Sequence, residues 1–204
     1  IVTLQRSGDH DHIPIKSIVQ VLIPVTNDKI AGYTQGFWAR TLTREGFEID
    51  AVRLPGVKLA PGNLTNASVD LLNPTAYAFT DARVCFRFGF VGLPRESLIS
   101  VTFSSAHFME QASIKDVEGL NLSGELSLLI EGNIALLSVS EASPPFTSVC
   151  ILFGGIRNHY AGLTGNYQII VSPQSKIGIM EQHLSMTSNF IIPANLEVDR
   201  LEPT

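Results

Sequence analysis

The sequence predicts an all-β domain, either a closed antiparallel barrel or a sandwich. Two observations favour this class. Short runs rich in Val, Ile, Phe, Tyr and Thr recur between clusters of Gly, Pro, Asn and Asp, which is the pattern of strands joined by turns. Runs with apolar residues at helical spacing, bounded by capping residues, are scarce. At 204 residues the chain has an ordinary length for one all-β unit, so we expect a single domain over 1–204.

Nine segments are predicted as strands, because each is a short β-prone run between turn residues. They are 14–25, 31–43, 76–91, 97–109, 124–131, 133–140, 147–153, 166–172 and 177–191. With no helices predicted between them, successive strands pair antiparallel. Closing the sheet into a barrel of about eight strands would remove its exposed edges.

Two segments lie outside this pattern. Residues 1–12 become polar toward their end and are interpreted as an N-terminal arm. Residues 44–75 form a long connection that carries Pro55 and Pro61. Loops of this length inside a compact domain are usually functional covers or mobile segments. We interpret 44–75 as a lid over a cavity; the alternative is a glycosylated surface excursion.

Composition and charge exclude some partners. Apolar residues make up 45% of the chain and charged residues 16%, against about 25% charged in an average soluble domain. The net charge is −5 and the basic residues are scattered, so no nucleic-acid partner is expected. The most apolar stretch, 126–139, is interrupted by Glu131 and is shorter than the ~20 residues of a membrane span, so no membrane insertion is expected. The low charge suggests that a second copy covers part of the exterior, as in a homodimer.

Features typical of secreted proteins are present. The chain begins at Ile1, and N-x-S/T sequons occur at Asn63, Asn66 and Asn121. They favour the secretory pathway or an extracellular location after removal of a signal peptide, with glycans on these asparagines. Cys85 and Cys150 both lie in predicted strands. They form either one disulfide, as an oxidising compartment allows, or two buried reduced thiols.

The stretch "FGGIRNHYAGLTGNY", residues 153–167, raises the question of phosphate binding. A dinucleotide turn needs G-x-G-x-x-G before a helix, and a P-loop needs Lys followed by Ser or Thr. Neither spacing occurs, and the next residues resemble a strand. We therefore interpret the glycines as a bend in a strand, a corner at 159–165 and a turn that accepts positive φ.

This layout resembles the "GGTGxFxGxxGxY" motif of the dirigent and allene oxide cyclase barrel superfamily. The matching positions are Gly154, Gly155, Tyr160, Gly162, Gly165 and Tyr167. A second segment, "IAGYTQGFWARTL", is similar to an early dirigent strand at Gly32, Gln35, Gly36 and Phe37, and Glu181 falls where the last strand carries a glutamate. The chain departs from the motif at 156–158, where the middle glycine is missing. The resemblance implies a closed barrel of about eight strands around a cavity.

Motifs for common enzyme chemistry are absent from the sequence: it contains no G-x-S-x-G, H-E-x-x-H or C-x-x-C. His10 and His12 have a spacing that two metal ligands could use. A solvated polar terminus explains them more simply, so we predict no metal.

The candidate site residues are those expected to line an apolar cavity with a few polar anchors. The predicted catalytic residues are Arg87, His107, Tyr160 and His183. The predicted substrate-binding residues are Phe37, Trp38, Arg40, Phe79, Phe88, Phe103 and Tyr167. An inward guanidinium would hydrogen-bond a ligand carbonyl, and a histidine would donate a proton. The alternatives are outward arginines and histidines satisfied within the core.

The resemblance implies a function without a cofactor. We predict a cyclase, a pericyclase of Diels–Alder or hetero-Diels–Alder type acting on a terpenoid or polyketide intermediate, similar to fungal enzymes of tropolonic sesquiterpenoid biosynthesis. Such a protein would hold a reactive apolar guest in one geometry, direct a hydrogen bond at a developing charge and exclude water. The alternatives are a secreted barrel that binds an apolar ligand or a glycan without chemistry, and a dirigent guide of radical coupling.

Overall fold

A computed structural model describes most of the chain. The described residues are 20, 22–43, 45–120, 126–174, 178–186 and 188–194. The predicted arm 1–12 and most of the predicted strand 14–25 lie outside these ranges, and so does Asn121. The described residues of 14–25, which are 20 and 22–25, form no strand.

The described residues form strands and no helix. In chain order the strands are β1 (Gly32–Tyr33), β2 (Phe37–Leu42), β3 (Glu48–Leu54), β4 (Lys58–Leu59), β5 (Gly62–Asn63), β6 (Thr65–Leu71), β7 (Phe79–Arg87), β8 (Ser97–Thr102), β9 (His107–Phe108), β10 (Ser113–Glu118), β11 (Leu126–Glu131), β12 (Ile134–Val139), β13 (Ser148–Asn158), β14 (Gly162–Leu163), β15 (Tyr167–Pro173), β16 (Glu181–Met186) and β17 (Phe190–Ile191). The all-β class is therefore confirmed.

Two large sheets contain most of these strands. One has five strands in the order β10-β13-β7-β6, with β9 also pairing with β13. The other has six strands in the order β11-β12-β8-β15-β16-β5. Its pairs are antiparallel except β16 with β5, which is parallel. Three two-stranded sheets, β1-β4, β2-β3 and β14-β17, complete the described fold.

The two large sheets pack face to face and share one hydrophobic core. Strand β8 alternates buried and half-buried residues along its whole length, as expected for a strand with one face against a core. Phe103, just after β8, lies with its ring centroid 5.5 Å from Phe153 of the opposite sheet and 5.9 Å from Tyr167. All three side chains are fully buried. The architecture of the two large sheets is therefore a sandwich.

The predicted closed barrel is wrong. None of the described sheets closes on itself. A barrel requires the outermost strands of a sheet to pair with each other. Here the five-stranded sheet ends at β10 and β6, and the six-stranded sheet ends at β11 and β5, without pairing between those ends.

Several strands were not predicted, and for two of them, β6 and β10, the reason is identifiable. The connection 44–75, predicted as a lid-like loop, contains β3, β4, β5 and β6. Strand β6 lies at a sheet edge, and Val69 is its one fully buried residue. The neighbouring residues are small or half-exposed, so the apolar pattern of β6 is weak. Strand β10 was not predicted because a register shift between Ile114 and Asp116 spaces its two apolar residues, Ile114 and Val117, three apart instead of two.

The paired glycines form the predicted bend. The ladder between β13 and β7 shifts register between Phe153 and Ile156, and Gly155 has a φ of 75°. A Cβ at Gly155 would overlap the carbonyl of Gln111. The bulge lets β13 continue to Asn158, five residues past the predicted end of this strand at 153.

A buried carboxylate connects the two sheets at one end of the sandwich. Glu181, the first residue of β16, has no exposed surface. Its carboxylate accepts hydrogen bonds from the backbone N–H groups of Gly89 at 2.9 Å and Val91 at 2.8 Å, in the segment that follows β7. A carboxylate that accepts backbone N–H bonds in a buried site makes strong, charge-assisted contacts.

We expect Glu181→Gln to lower the free energy of unfolding by about 1.5 to 3 kcal/mol. The amide supplies one oxygen where two N–H donors need acceptors, and its own NH₂ group faces a donor. Urea denaturation measures the change. The exposed Glu110 provides the matched control, since Glu110→Gln should change stability by less than about 0.5 kcal/mol. Equal stability of the two variants would contradict this account.

Candidate functional site: an exposed aromatic patch above a buried polar cluster

Aromatic side chains meet on the outer face of the five-stranded sheet. Arg157 of β13 lies directly opposite Phe108 of β9 on one side and Phe79 of β7 on the other. Residues opposite each other in an antiparallel ladder point to the same face. All three side chains are exposed, so an arginine lies between two phenylalanines at this end of the sheet.

The corner after β13 adds further rings. The His159 ring lies edge-on to Phe108, with centroids 4.8 Å apart, and contacts Tyr160 at 4.5 Å and Tyr77 at 6.2 Å. Arg157 Nε donates to the Tyr77 carbonyl at 3.2 Å. Tyr77 and Tyr160 are 58% and 51% exposed. We call this group the aromatic patch; its members are Tyr77, Phe79, Phe108, Arg157, His159 and Tyr160.

A buried amide holds the strand end that carries the patch. Asn158 lies between Arg157 and His159 in sequence and points inward, with no exposed surface. Its Nδ2 donates to the carbonyls of Asn73 at 2.8 Å and Thr75 at 2.9 Å. These bonds tie the end of β13 to the loop that leads into Tyr77. These hydrogen bonds therefore hold in place the backbone segments that carry the patch residues.

His107 lies under the patch and is held by Tyr167. His107 is 4% exposed and its Nε2 lies 2.8 Å from the Tyr167 hydroxyl. Burial lowers the pKa of His107 from 6.5 to about 4, and the side chain of Asn158 acts in the opposite direction. His107 Nδ1 and Asn158 Oδ1 are both buried and have no hydrogen bond of good geometry. His107 is therefore neutral at neutral pH.

Tyr167 is also held in its protonated form. Burial raises its pKa above 10.0, while hydrogen bonds with the side chains of Thr164, Asn189 and Ser104 act in the opposite direction. A neutral histidine beside a neutral phenol can share one hydrogen bond without a buried charge. This arrangement stabilises the fold, and both groups are shielded from solvent.

The predicted site residues fall into several separate places. His107, Tyr167 and Phe103 come together in the interior, where the Phe103 and His107 rings lie 6.2 Å apart. Phe88 is fully buried in the core beside Phe86. Tyr160 and Phe79 belong to the aromatic patch.

Arg87 and His183 lie away from these groups. Arg87 is exposed at the other end of β7, where its Nε donates to the Phe146 carbonyl at 2.8 Å and its guanidinium covers the Phe146 ring. His183 is half-buried with Nδ1 3.3 Å from the Leu64 carbonyl. It borders a surface depression of about 400 Å³ with Asn63 and Leu64. The four predicted catalytic residues are therefore not brought into one site.

Three predicted substrate-binding residues lie on a projecting ribbon, residues 32–59. In this ribbon β1 pairs with β4, and β2 pairs with β3. Every residue of β2 and β3 is exposed. Phe37 and Trp38 therefore face solvent, and the Arg40 guanidinium lies 5.2 Å from the Trp38 ring centroid. This exposure does not fit the lining of a cavity, since β2 and β3 pair only with each other within the described residues; a role of these residues in substrate binding stays a prediction.

Cys85 and Cys150 are joined by a disulfide. They lie directly opposite each other on β7 and β13 and are half-buried on the outer face of the sheet. A second depression, of about 290 Å³, borders Cys150. Of the predicted glycosylation sites, Asn63 and Asn66 are exposed. Glycan attachment there, and at Asn121, stays a prediction.

Within the described ranges, no group of three or more His, Cys, Asp or Glu side chains is placed to hold a metal ion. The same part of the chain contains no helix with the length and apolarity needed to cross a membrane.

Sequence analysis missed four residues of the aromatic patch: Tyr77, Phe108, Arg157 and His159. The sequence signal that could have located Arg157 is the alternation of inward and outward residues over 156–158, after the glycine pair. Ending the strand at 153 removed the pattern that places Arg157 outward and Asn158 inward. Tyr77 has a φ of 60°, which a sequence pattern does not predict for a bulky aromatic residue.

Comparisons with known proteins give few matches. No protein-family model and no curated protein matches the chain. Among solved structures it is similar to BslA, described as a bacterial hydrophobin, with 12% identity and a TM-score of 0.38, over 65% of this chain and 98% of the other. It is also similar to BcpA, the major pilin subunit of Bacillus cereus, with 11% identity and a TM-score of 0.38, over 78% of this chain and 48% of the other. Membership of the dirigent and allene oxide cyclase superfamily stays a prediction.

The pKa of His107 predicts how stability depends on pH. The unfolded chain binds a proton at this histidine below a pH of about 6.5, whereas the folded chain binds it only below about 4. The free energy of unfolding should therefore fall as pH drops from 6.5 to 4, by about 3 kcal/mol in all. Urea titrations at several pH values measure this fall. His107→Gln should reduce it; a pH profile of His107→Gln identical to that of the wild type would rule out His107 as the source.

Proposed function

We propose that the protein is a non-catalytic binding module and that the aromatic patch binds a glycan. The observation that carries this proposal is the cluster of exposed rings around Arg157. Contiguous exposed apolar surface on a folded protein usually marks an interaction site. Here it lies at one end of a sheet and is built from three separate parts of the chain.

The chemistry of the patch favours a sugar over a small apolar ligand. A small apolar ligand binds best in an enclosed cavity that buries most of its surface, whereas these rings lie open on the outer face. The C–H face of a pyranose ring stacks on an aromatic ring, and its hydroxyl groups need donors and acceptors at the rim. The Tyr77 and Tyr160 hydroxyls, the Arg157 guanidinium and the His159 imidazole supply them.

The hydrogen bonds beneath the patch support the same proposal. Asn158 fixes the end of β13 to two carbonyls of the neighbouring loop, and His159 N donates to the Ala106 carbonyl at 2.9 Å. A surface whose residues are already held in place loses less conformational freedom on binding. The patch is therefore suited to recognise a ligand without rearrangement.

We expect the purified protein to be retarded in affinity gel electrophoresis by at least one polysaccharide of a soluble panel. With that polysaccharide, Tyr160→Ala and Tyr77→Ala should each weaken binding at least about fivefold in calorimetry, since a ring contact contributes about 1 kcal/mol. The control is Phe90→Ala, which removes a ring that is 87% exposed but lies against Phe146, outside the patch.

Two outcomes would reject this function. One is the absence of retardation by every polysaccharide in the panel. The other is equal weakening by Phe90→Ala and Tyr160→Ala, because binding would then depend on exposed aromatic surface in general. Loss of binding in both tyrosine variants, with unchanged melting temperatures, would support the patch as the site.

The cofactor-free cyclase stays a second proposal, supported by one contact. His107, Tyr167 and Phe103 form a buried group in which His107 Nε2 and the Tyr167 hydroxyl share a hydrogen bond, so these groups are shielded from water as such chemistry requires. Its measurement is incubation with a generated quinone methide and a cyclic polyene. A product ratio identical to that in buffer would exclude it. A secretory location stays a prediction in either case.

A further inference from the structure

The outer edge of the six-stranded sheet is a regular strand. Strand β11 is the last strand on that side and pairs with β12 over all six residues, from Leu126 with Val139 to Glu131 with Ile134, with no register shift. No other described strand pairs with β11. An edge strand of this kind presents unpaired backbone N–H and C=O groups on alternate residues.

The other outer strands carry features that discourage pairing. Strand β10 has a register shift after Ile114 and exposed charges at Lys115, Asp116 and Glu118. Strand β6 has a register shift between Thr65 and Ser68, and β5 has only two residues. Bulges, charges and short length are the usual means of protecting an edge. Strand β11 contains no bulge, no proline and no lysine, and its one charge, Glu131, is at its end.

The side chains of β11 leave the core partly uncovered. Leu126, Leu128 and Ile130 pack against the core but are only half-buried. On the opposite face Leu129 is 56% exposed. One more strand beside β11 would cover both faces and pair the free backbone groups.

We propose that β11 pairs antiparallel with β11 of a second copy, which joins two six-stranded sheets into one. An antiparallel pair related by a two-fold axis keeps each side chain on its own face, so apolar residues of one copy lie beside those of the other. In a pairing centred on Leu129, Glu131 lies opposite Ser127 of the second copy; in a pairing centred on Leu128, it lies beyond the end of the second copy's strand. The two Glu131 carboxylates therefore do not oppose each other.

The net charge of the chain predicts how this dimer responds to salt. Each chain carries a net charge of −5, so two copies repel each other at low ionic strength. Salt screens this repulsion, while the apolar and backbone contacts across β11 are not weakened by it. The dimer should therefore become tighter as salt increases. Because β11 is on the other sheet from the aromatic patch, the dimer does not depend on the proposed glycan binding.

The test is sedimentation velocity of the full chain over a range of concentrations. The wild type should show a reversible monomer–dimer equilibrium. Two variants place like charges on both copies at exposed positions of β11: Ser127→Lys with Leu129→Lys, and Ser127→Glu with Leu129→Glu. Each alone should raise the dissociation constant at least about tenfold, because like charges in adjacent strands repel. A mixture of the two should regain the dimer.

A control variant separates edge pairing from general effects of charge. Leu163→Lys with Leu72→Lys adds the same charge at two exposed leucines outside β11 and should leave the dissociation constant within about twofold of wild type. Unchanged circular dichroism spectra verify that the variants fold. A wild-type monomer at every concentration, a Lys variant that dimerises like wild type, or a mixture that stays monomeric would each overturn the proposal.

Discussion

The packing of two alternating strand faces against each other is the interaction on which the rest of this protein depends. Phe103 lies at its centre, with Phe153 of the opposite sheet and Tyr167 of its own sheet at about the same distance. Burying a large apolar side chain stabilises a fold by about 1.5 to 3 kcal/mol. Because side chains alternate along a strand, each residue buried in this core also fixes which neighbours face solvent.

The aromatic patch is a consequence of the register in which β13 pairs with β7 and β9. His107 and Asn158 point inward while Phe108 and Arg157, their neighbours in sequence, point outward. A slip of one residue in β13 would exchange the two sets. The bulge at Gly154 and Gly155 shifts the register by one residue, and this shift places Asn158 inward and Arg157 outward. The polar cluster under the surface and the rings above it therefore form one unit, positioned by the same strand ends.

Leaving the sheets open has a cost that a barrel avoids, because open sheets have edges. Three of the four outer strands are irregular, charged or very short, and β11 is regular and apolar. This asymmetry distinguishes a protected surface from one suited to assembly. The projecting ribbon of residues 32–59 shows a related imbalance, because exposed Phe37, Val52 and Leu54 share one of its faces. A two-stranded sheet alone is marginally stable in water.

Local sequence patterns were sufficient to predict the all-β class, the strands around 97–102, 126–131, 134–139 and 167–173, and the bend at the glycine pair. These depend on local alternation and on the backbone freedom of glycine, which neighbouring residues reveal. Tertiary structure decided which strands pair, whether the sheets close, and which side chains meet. The patch joins residues near 77, 108 and 159, whose contact depends on long-range pairing. Local periodicity carries no information about the partner of a strand, because that choice is made by the burial of the whole core.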